Sequence, residues 1–159
     1  MLFAASSCSE CPRSACEAVT KPTTAAIAQG VAGVISYQSD ALANGCAPCE
    51  YAEAAFAIWA TDSLVSSGAQ ADSVAHSGDA DVIVHAADGR YEQLLESGNY
   101  LVCVDSLPST LCAAIAVRPD EAWTINLATT YGPGRLIVFE PGSDTPNSLA
   151  VFDISAYDR

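Results

Sequence analysis

The chain carries 7 cysteines in 159 residues, and theirs are the side chains whose spacing most invites chemistry. Cys46-Ala-Pro-Cys49 has the C-x-x-C spacing of thiol–disulfide exchange proteins. That chemistry needs a thiol of lowered pKa, as at a helix N-terminus. Here the pair falls in a loop between two predicted strands, and Glu50 beside it raises a thiol pKa. A structural clip is the better reading; redox work by Cys46 and Cys49 is the alternative. Cys8, Cys11, Cys46 and Cys49 together offer four thiolates for zinc. The first pair lies in a leader and the gap exceeds zinc-ribbon spacing, so the expectation is no cofactor, with zinc as a minor alternative. Cys103 and Cys112 flank a hairpin. Centring its turn between Leu107 and Pro108 sets them opposite each other, each on the face away from its strand's larger apolar set. Opposed β-carbons sit ~4.5–5.5 Å apart, near disulfide reach, and a Cys103–Cys112 bond is expected. Cys11, Cys16, Cys46 and Cys49 then allow three pairings. Local Cys11–Cys16 and Cys46–Cys49 bonds are favoured, with crossed pairs tying the leader to the loop close behind.

The rest of the reactive inventory is thin. His76 and His85 are the only 2 histidines, and the turn-rich sequence between them does not bring them together. No acid, base and nucleophile converge, so the chain reads as a non-enzyme. Asp79, Asp81 and Asp88 could gather around calcium, which takes carboxylate and carbonyl oxygens, but their spacing matches no calcium loop. Trp59, Trp123 and Tyr131 could stack on a sugar. Trp123 alternates with Ile125 and Leu127 as a core residue would, which leaves Trp59 and Tyr131 as the candidate binding residues.

The elements that must hold these residues are organised around Ala86–Val117. Asp88-Gly89 reads as a turn, followed by a short strand from Tyr91. Ser97-Gly98-Asn99 turns the chain again, with Gly98 a candidate for positive φ. Alternation then places Tyr100, Val102 and Val104 on one face, and Ala113, Ile115 and Val117 on one face of the next strand. Gly30–Gln38, Tyr51–Thr61, Asp81–His85, Glu121–Thr129, Arg135–Glu140 and Leu149–Ile154 read as further strands. Residues 62–80 are Ser- and Gly-rich and read as a flexible loop. About eight or nine strands predict an all-β, antiparallel β-sandwich over residues 29–159, behind an irregular cysteine-bearing leader at 1–28.

The stretch ADGRYEQLLESGNYLVCV resembles the A-D-G-[RK]-[FY]-x-x-x-L-x-x-G-x-Y signature of carboxypeptidase-regulatory-like, prealbumin-like (transthyretin-like) domains. Asp88, Gly89, Tyr91, Leu95, Gly98 and Tyr100 carry it, and Gly30-Val31-Ala32-Gly33-Val34-Ile35 is similar to the family's opening strand. The resemblance implies a prealbumin-like sandwich and is nearly silent on chemistry. Hydroxyisourate hydrolases of that fold end in Tyr-Arg-Gly-Ser; this chain ends Ser155-Ala-Tyr-Asp-Arg, so their activity is not implied.

Six basic residues against 19 acidic leave a net charge of −13. Such a surface repels phosphate backbones and anionic membranes, so nucleic acid is disfavoured. The cysteine load suggests an oxidising compartment. Ala5-Ser6-Ser7-Cys8 resembles a bacterial lipoprotein cleavage box, which would make Cys8 a lipidated residue and a lipid anchor the one membrane contact. The expected protein is an exported, extracellular or cell-envelope structural or binding module, stabilised by disulfides. Its expected partner is a protein or glycan at the cell surface, or another copy of itself.

Overall fold

The computed structural model describes residues 14–39, 48–105, 110–130 and 134–155. A short helix α1 (Ser14–Ala18) precedes β1 (Gly30–Gln38), β2 (Cys49–Tyr51) and β3 (Ala55–Thr61). Helix α2 (Gly68–His76) leads to β4 (Val82–His85), β5 (Arg90–Leu94), β6 (Gly98–Val104) and β7 (Thr110–Val117). β8 (Ala122–Thr129), β9 (Arg135–Phe139), a 3-10 turn at Ser148–Ala150 and β10 (Val151–Ile154) complete the described elements. Two five-stranded sheets result. One runs β2-β1-β8-β9, with β5 also pairing to β1; the other runs β10-β7-β6-β3-β4. Their facing sides share one apolar core, in which Ile35, Ile125 and Leu127 meet Phe56, Ile58, Val102 and Ile115.

This is a β-sandwich, but it is not antiparallel throughout. β1 and β8 run parallel, from Gly30 opposite Ala122 to Tyr37 opposite Thr129, so the first sheet is mixed while the second is antiparallel. Strands buried on both faces read as unbroken apolar runs, which is why β1 shows no clean alternation. Val31 and Ile35 enter the central core, while Val34 packs on the outside with Val19, Ile137 and Phe139.

What covers that outer face is the stretch from residue 14 to 28, read from sequence as part of a tether. The β1–β8 register skips Gly33 and Val34, and two side chains fill the gap in the ladder. Tyr91 stands opposite Gly33 and donates its hydroxyl to the Ile125 carbonyl at 2.6 Å, with its ring stacked on Phe56 at 4.5 Å. A β-carbon at Gly33 would come within 2.9 Å of that ring, so only glycine admits the crossing. The Val34 amide donates instead to Asn126 Oδ1 at 2.9 Å. Asn126 is fully buried, and its Nδ2 donates to the Val19 and Lys21 carbonyls, each at 3.0 Å. Thr23 adds a bond from Oγ1 to Asn126 Oδ1 and one from its amide to Thr124 Oγ1. One buried amide thus fastens the N-terminal segment to the sheet, with every polar atom partnered.

The outer face of the second sheet is covered by α2, within the stretch expected to be a loop. Ser67 caps the helix by accepting from the Gln70 amide at 3.2 Å. Ala71 and Ala75, one turn apart, bury themselves among Trp59, Leu101 and Ile154. Alanine gives little apolar signal in a Ser- and Gly-rich context, yet it lets the helix sit close on the sheet.

Candidate functional site

Cys103 and Cys112 stand directly opposite each other in the β6–β7 ladder and are disulfide-bonded. They face α2 rather than the central core, and both are fully buried. The second described disulfide is Cys16–Cys49, with α-carbons 5.5 Å apart. It takes one cysteine from each local pair, so neither a Cys11–Cys16 nor a Cys46–Cys49 bond forms. The physical reason is the docking of α1 beside β2: Asn126 holds the segment just after α1, and Cys16 then lies against Cys49. Cys49 is therefore not a zinc thiolate, nor half of a closed C-x-x-C pair. Cys8, Cys11 and Cys46 lie outside the described residues, as does Tyr131.

Trp59 is no sugar platform. It is only 5% exposed, sits under α2, and its Nε1 donates to the Gly78 carbonyl at 3.3 Å. Asp81 accepts from the Ala60 amide at 2.7 Å. Asp88 occupies a left-handed turn position beside Gly89. Among the described residues no group of three or more metal-binding side chains gathers, so Asp79, Asp81 and Asp88 do not form a cluster. His76 ends α2, 3.6 Å from the Asp72 carboxylate one turn earlier, while His85 ends β4 on the other edge of that sheet. Asp72 also accepts from Ser155 Oγ. Aspartate stands between serine and histidine in this group, an order that cannot activate the hydroxyl.

A concave feature with both apolar and charged walls lies where β10 begins. β10 pairs with β7 only from Thr110 to Ala113, although β7 continues to Val117. The chain entering β10 comes from the other sheet: the Asn147 amide donates to the Val138 carbonyl at 2.7 Å, and the Asn147 side chain caps the 3-10 turn. The place alongside Ala114–Val117 is left as a groove of about 540 Å³. Ala114, Ala116, Trp123 and Phe152 line its apolar part. Arg118, Glu121 and Glu140 supply its charge. The Trp123 indole donates to the Ala116 carbonyl at 2.9 Å, and Glu140 accepts from Asn147 Nδ2 at 3.0 Å. Leu149, 90% exposed, and Leu64, 49% exposed, also line it. A leucine so bare carries an unfavourable apolar area in water that a bound partner would remove. Sequence reasoning passed over these residues. The sequence places Leu149 at the head of the last strand, but it falls in the 3-10 turn Ser148–Ala150 just before β10, where no strand face buries it.

A second hollow of about 480 Å³ lies between the N-terminal segment and the mixed sheet, lined by Cys16, Thr20, Gln38 and Arg135 among others. No helix among the described residues is long and apolar enough to cross a membrane. Comparison with protein-family models, with characterised proteins and with solved structures found no match. The fold and site thus define a disulfide-bonded β-sandwich covered on both outer faces, with a groove at one strand end. Disulfides of this kind belong to an oxidising environment.

Proposed function

We propose that the protein is a non-catalytic binding module of the prealbumin-like class, exported to the cell envelope or beyond, and that it holds its partner in the groove beside Ala114–Val117. The observation that carries this reading is the concentration of bare leucine at that groove. The disulfides support an extracytoplasmic setting, and Cys8 is the residue a lipid anchor would use; the intact mass of protein isolated from its host reports that lipid directly. The thiol–disulfide alternative is weakened because Cys49 is bonded to Cys16. The glycan-platform alternative is weakened because Trp59 is covered by α2.

The test is parallel screening of the wild type and a Leu64→Asp/Leu149→Asp variant on glycan and peptide arrays. Both positions are exposed, so the variant should keep the wild-type circular dichroism and melting curve. Binding by the wild type that the variant loses supports the reading. Binding indifferent to both changes, or turnover of a substrate in the groove, overturns it.

A further inference from the structure

We infer that the groove recognises an extended peptide by strand addition, in line with β10, and that the peptide is apolar with basic residues. The inference deepens the binding-module reading and rests on it. Its basis is the register of the second sheet. β6 accompanies β7 from Cys112 to Val117. On the opposite side β10 accompanies it only as far as Ala113. Continuing the antiparallel register would set residues 150 to 147 against 114 to 117, but Ser148–Ala150 winds into a 3-10 turn instead. Among the described residues the second half of β7 therefore keeps an edge with no strand alongside it, its Ala116 carbonyl held by the Trp123 indole, and the vacancy is the groove itself. Sheet edges of this kind recruit extended chains through main-chain hydrogen bonds, while pockets for alternate side chains give selectivity.

The vacancy admits about four residues, roughly 13 Å of strand. Ala114 and Ala116 are small enough to leave an incoming side chain room, and Phe152, Leu149 and Leu64 give it an apolar wall. Charge decides the occupant. The groove holds two carboxylates, Glu121 and Glu140, against one guanidinium, Arg118, and the whole chain carries −13. A second copy would bring the same excess and be repelled, whereas a basic segment is attracted. The favoured partner is therefore a lysine- or arginine-bearing β-prone stretch of a different protein.

The probe is a synthetic acetylated octapeptide of alternating valine and lysine, amidated at its C-terminus. Its control has the same sequence N-methylated at alternate amides, which keeps the charge and removes the donors of one edge. In amide NMR of the full oxidised chain, the unmodified peptide should shift resonances of Ala114–Val117 and slow hydrogen exchange at alternate amides there by at least tenfold. The control should bind at least tenfold more weakly, and Leu149→Ser, which removes apolar wall without adding charge, should weaken the unmodified peptide severalfold. Equal binding of both peptides overturns the inference, since it leaves only charge attraction. Shifts confined to other strands, or none at millimolar peptide, overturn it too. A glycan that binds the groove while the peptide does not would refute strand addition and leave the module reading standing. Absence of any ligand whose binding depends on Leu64 and Leu149 would remove both.

Discussion

Replacing Asn126 with alanine tests the fastening of the N-terminal segment. The side chain makes four hydrogen bonds: to the Val34 amide, the Thr23 hydroxyl and the Val19 and Lys21 carbonyls. Lys21 is exposed and water can replace its partner, and the Thr23 hydroxyl can rotate. Val34 and Val19 are buried, at 2% and 3% exposure, so their amide and carbonyl are orphaned. Each orphan costs about 1–3 kcal/mol, which puts the loss near ~4 kcal/mol. For a chain of this size about 2–4 °C of melting temperature goes with each kcal/mol, so Asn126→Ala should melt roughly 8–16 °C lower. Hydrogen exchange adds the local signature. Amides from 14 to 28 should exchange faster by orders of magnitude, while those of β3, β6 and β7 keep the ranking they have in the wild type. A melting change of a degree or two, or an N-terminal segment as protected as before, would refute the assignment of Asn126 as the fastener.

The remaining expectations are briefer. Partial reduction followed by alkylation and peptide mapping should label Cys16 and Cys49 before Cys103 and Cys112, because Cys16 is partly exposed and the second pair is fully buried; the opposite order would contradict the burial. With 33 residues of separation, Cys16–Cys49 contributes about 3.7 kcal/mol in the chain-entropy model, against about 2.6 kcal/mol for a separation of 9. Gly33→Ala should destabilise strongly, since its β-carbon meets the Tyr91 ring and the Ile125 carbonyl, whereas Gly98→Ala should be near neutral, with only the Tyr100 ring at ordinary contact; comparable melting of the two variants would sink the argument. Burial pushes the Tyr91 phenol well above its ordinary range, so its contribution is complete below about pH 10 and is lost above it, where only the unfolded chain ionises. Tyr91→Phe should lower stability at neutral pH by about 1–3 kcal/mol through the orphaned Ile125 carbonyl, yet show a shallower alkaline decline in denaturant titrations; an unchanged alkaline slope would count against it.

Local pattern made much of the sandwich legible. The alternation of β6 and β7 follows from period two and also sets Cys103 opposite Cys112, whereas β3, apolar on both faces, is expected as a strand only through the family resemblance. The expectation of about eight or nine strands fell short of the ten among the described residues, because Cys49–Tyr51 is too short to announce itself inside a loop. Gly98 does not adopt positive φ; Asp88, Asp120 and five other glycines do, since the turn before β6 opens into a strand at once. What stayed hidden depends on residues far apart in the chain. Nothing near β8 reveals that it runs parallel to β1. Nothing near Cys16 reveals Cys49 as its partner, because Asn126 decides where the N-terminal segment lies. The groove exists because β10 begins only opposite Ala113, a fact of register that no single residue carries.

The parallel partnership of β1 has a cost in time. Gly30 waits for Ala122, so a chain delivered N-terminus first keeps Val31, Val34 and Ile35 without their neighbour until most of the polypeptide has emerged. Non-local closure of this kind is slow and leaves sticky intermediates. The early-emerging Cys16 is exposed to other thiols during that wait, so its pairing with Cys49 competes with other pairings until the last strands arrive.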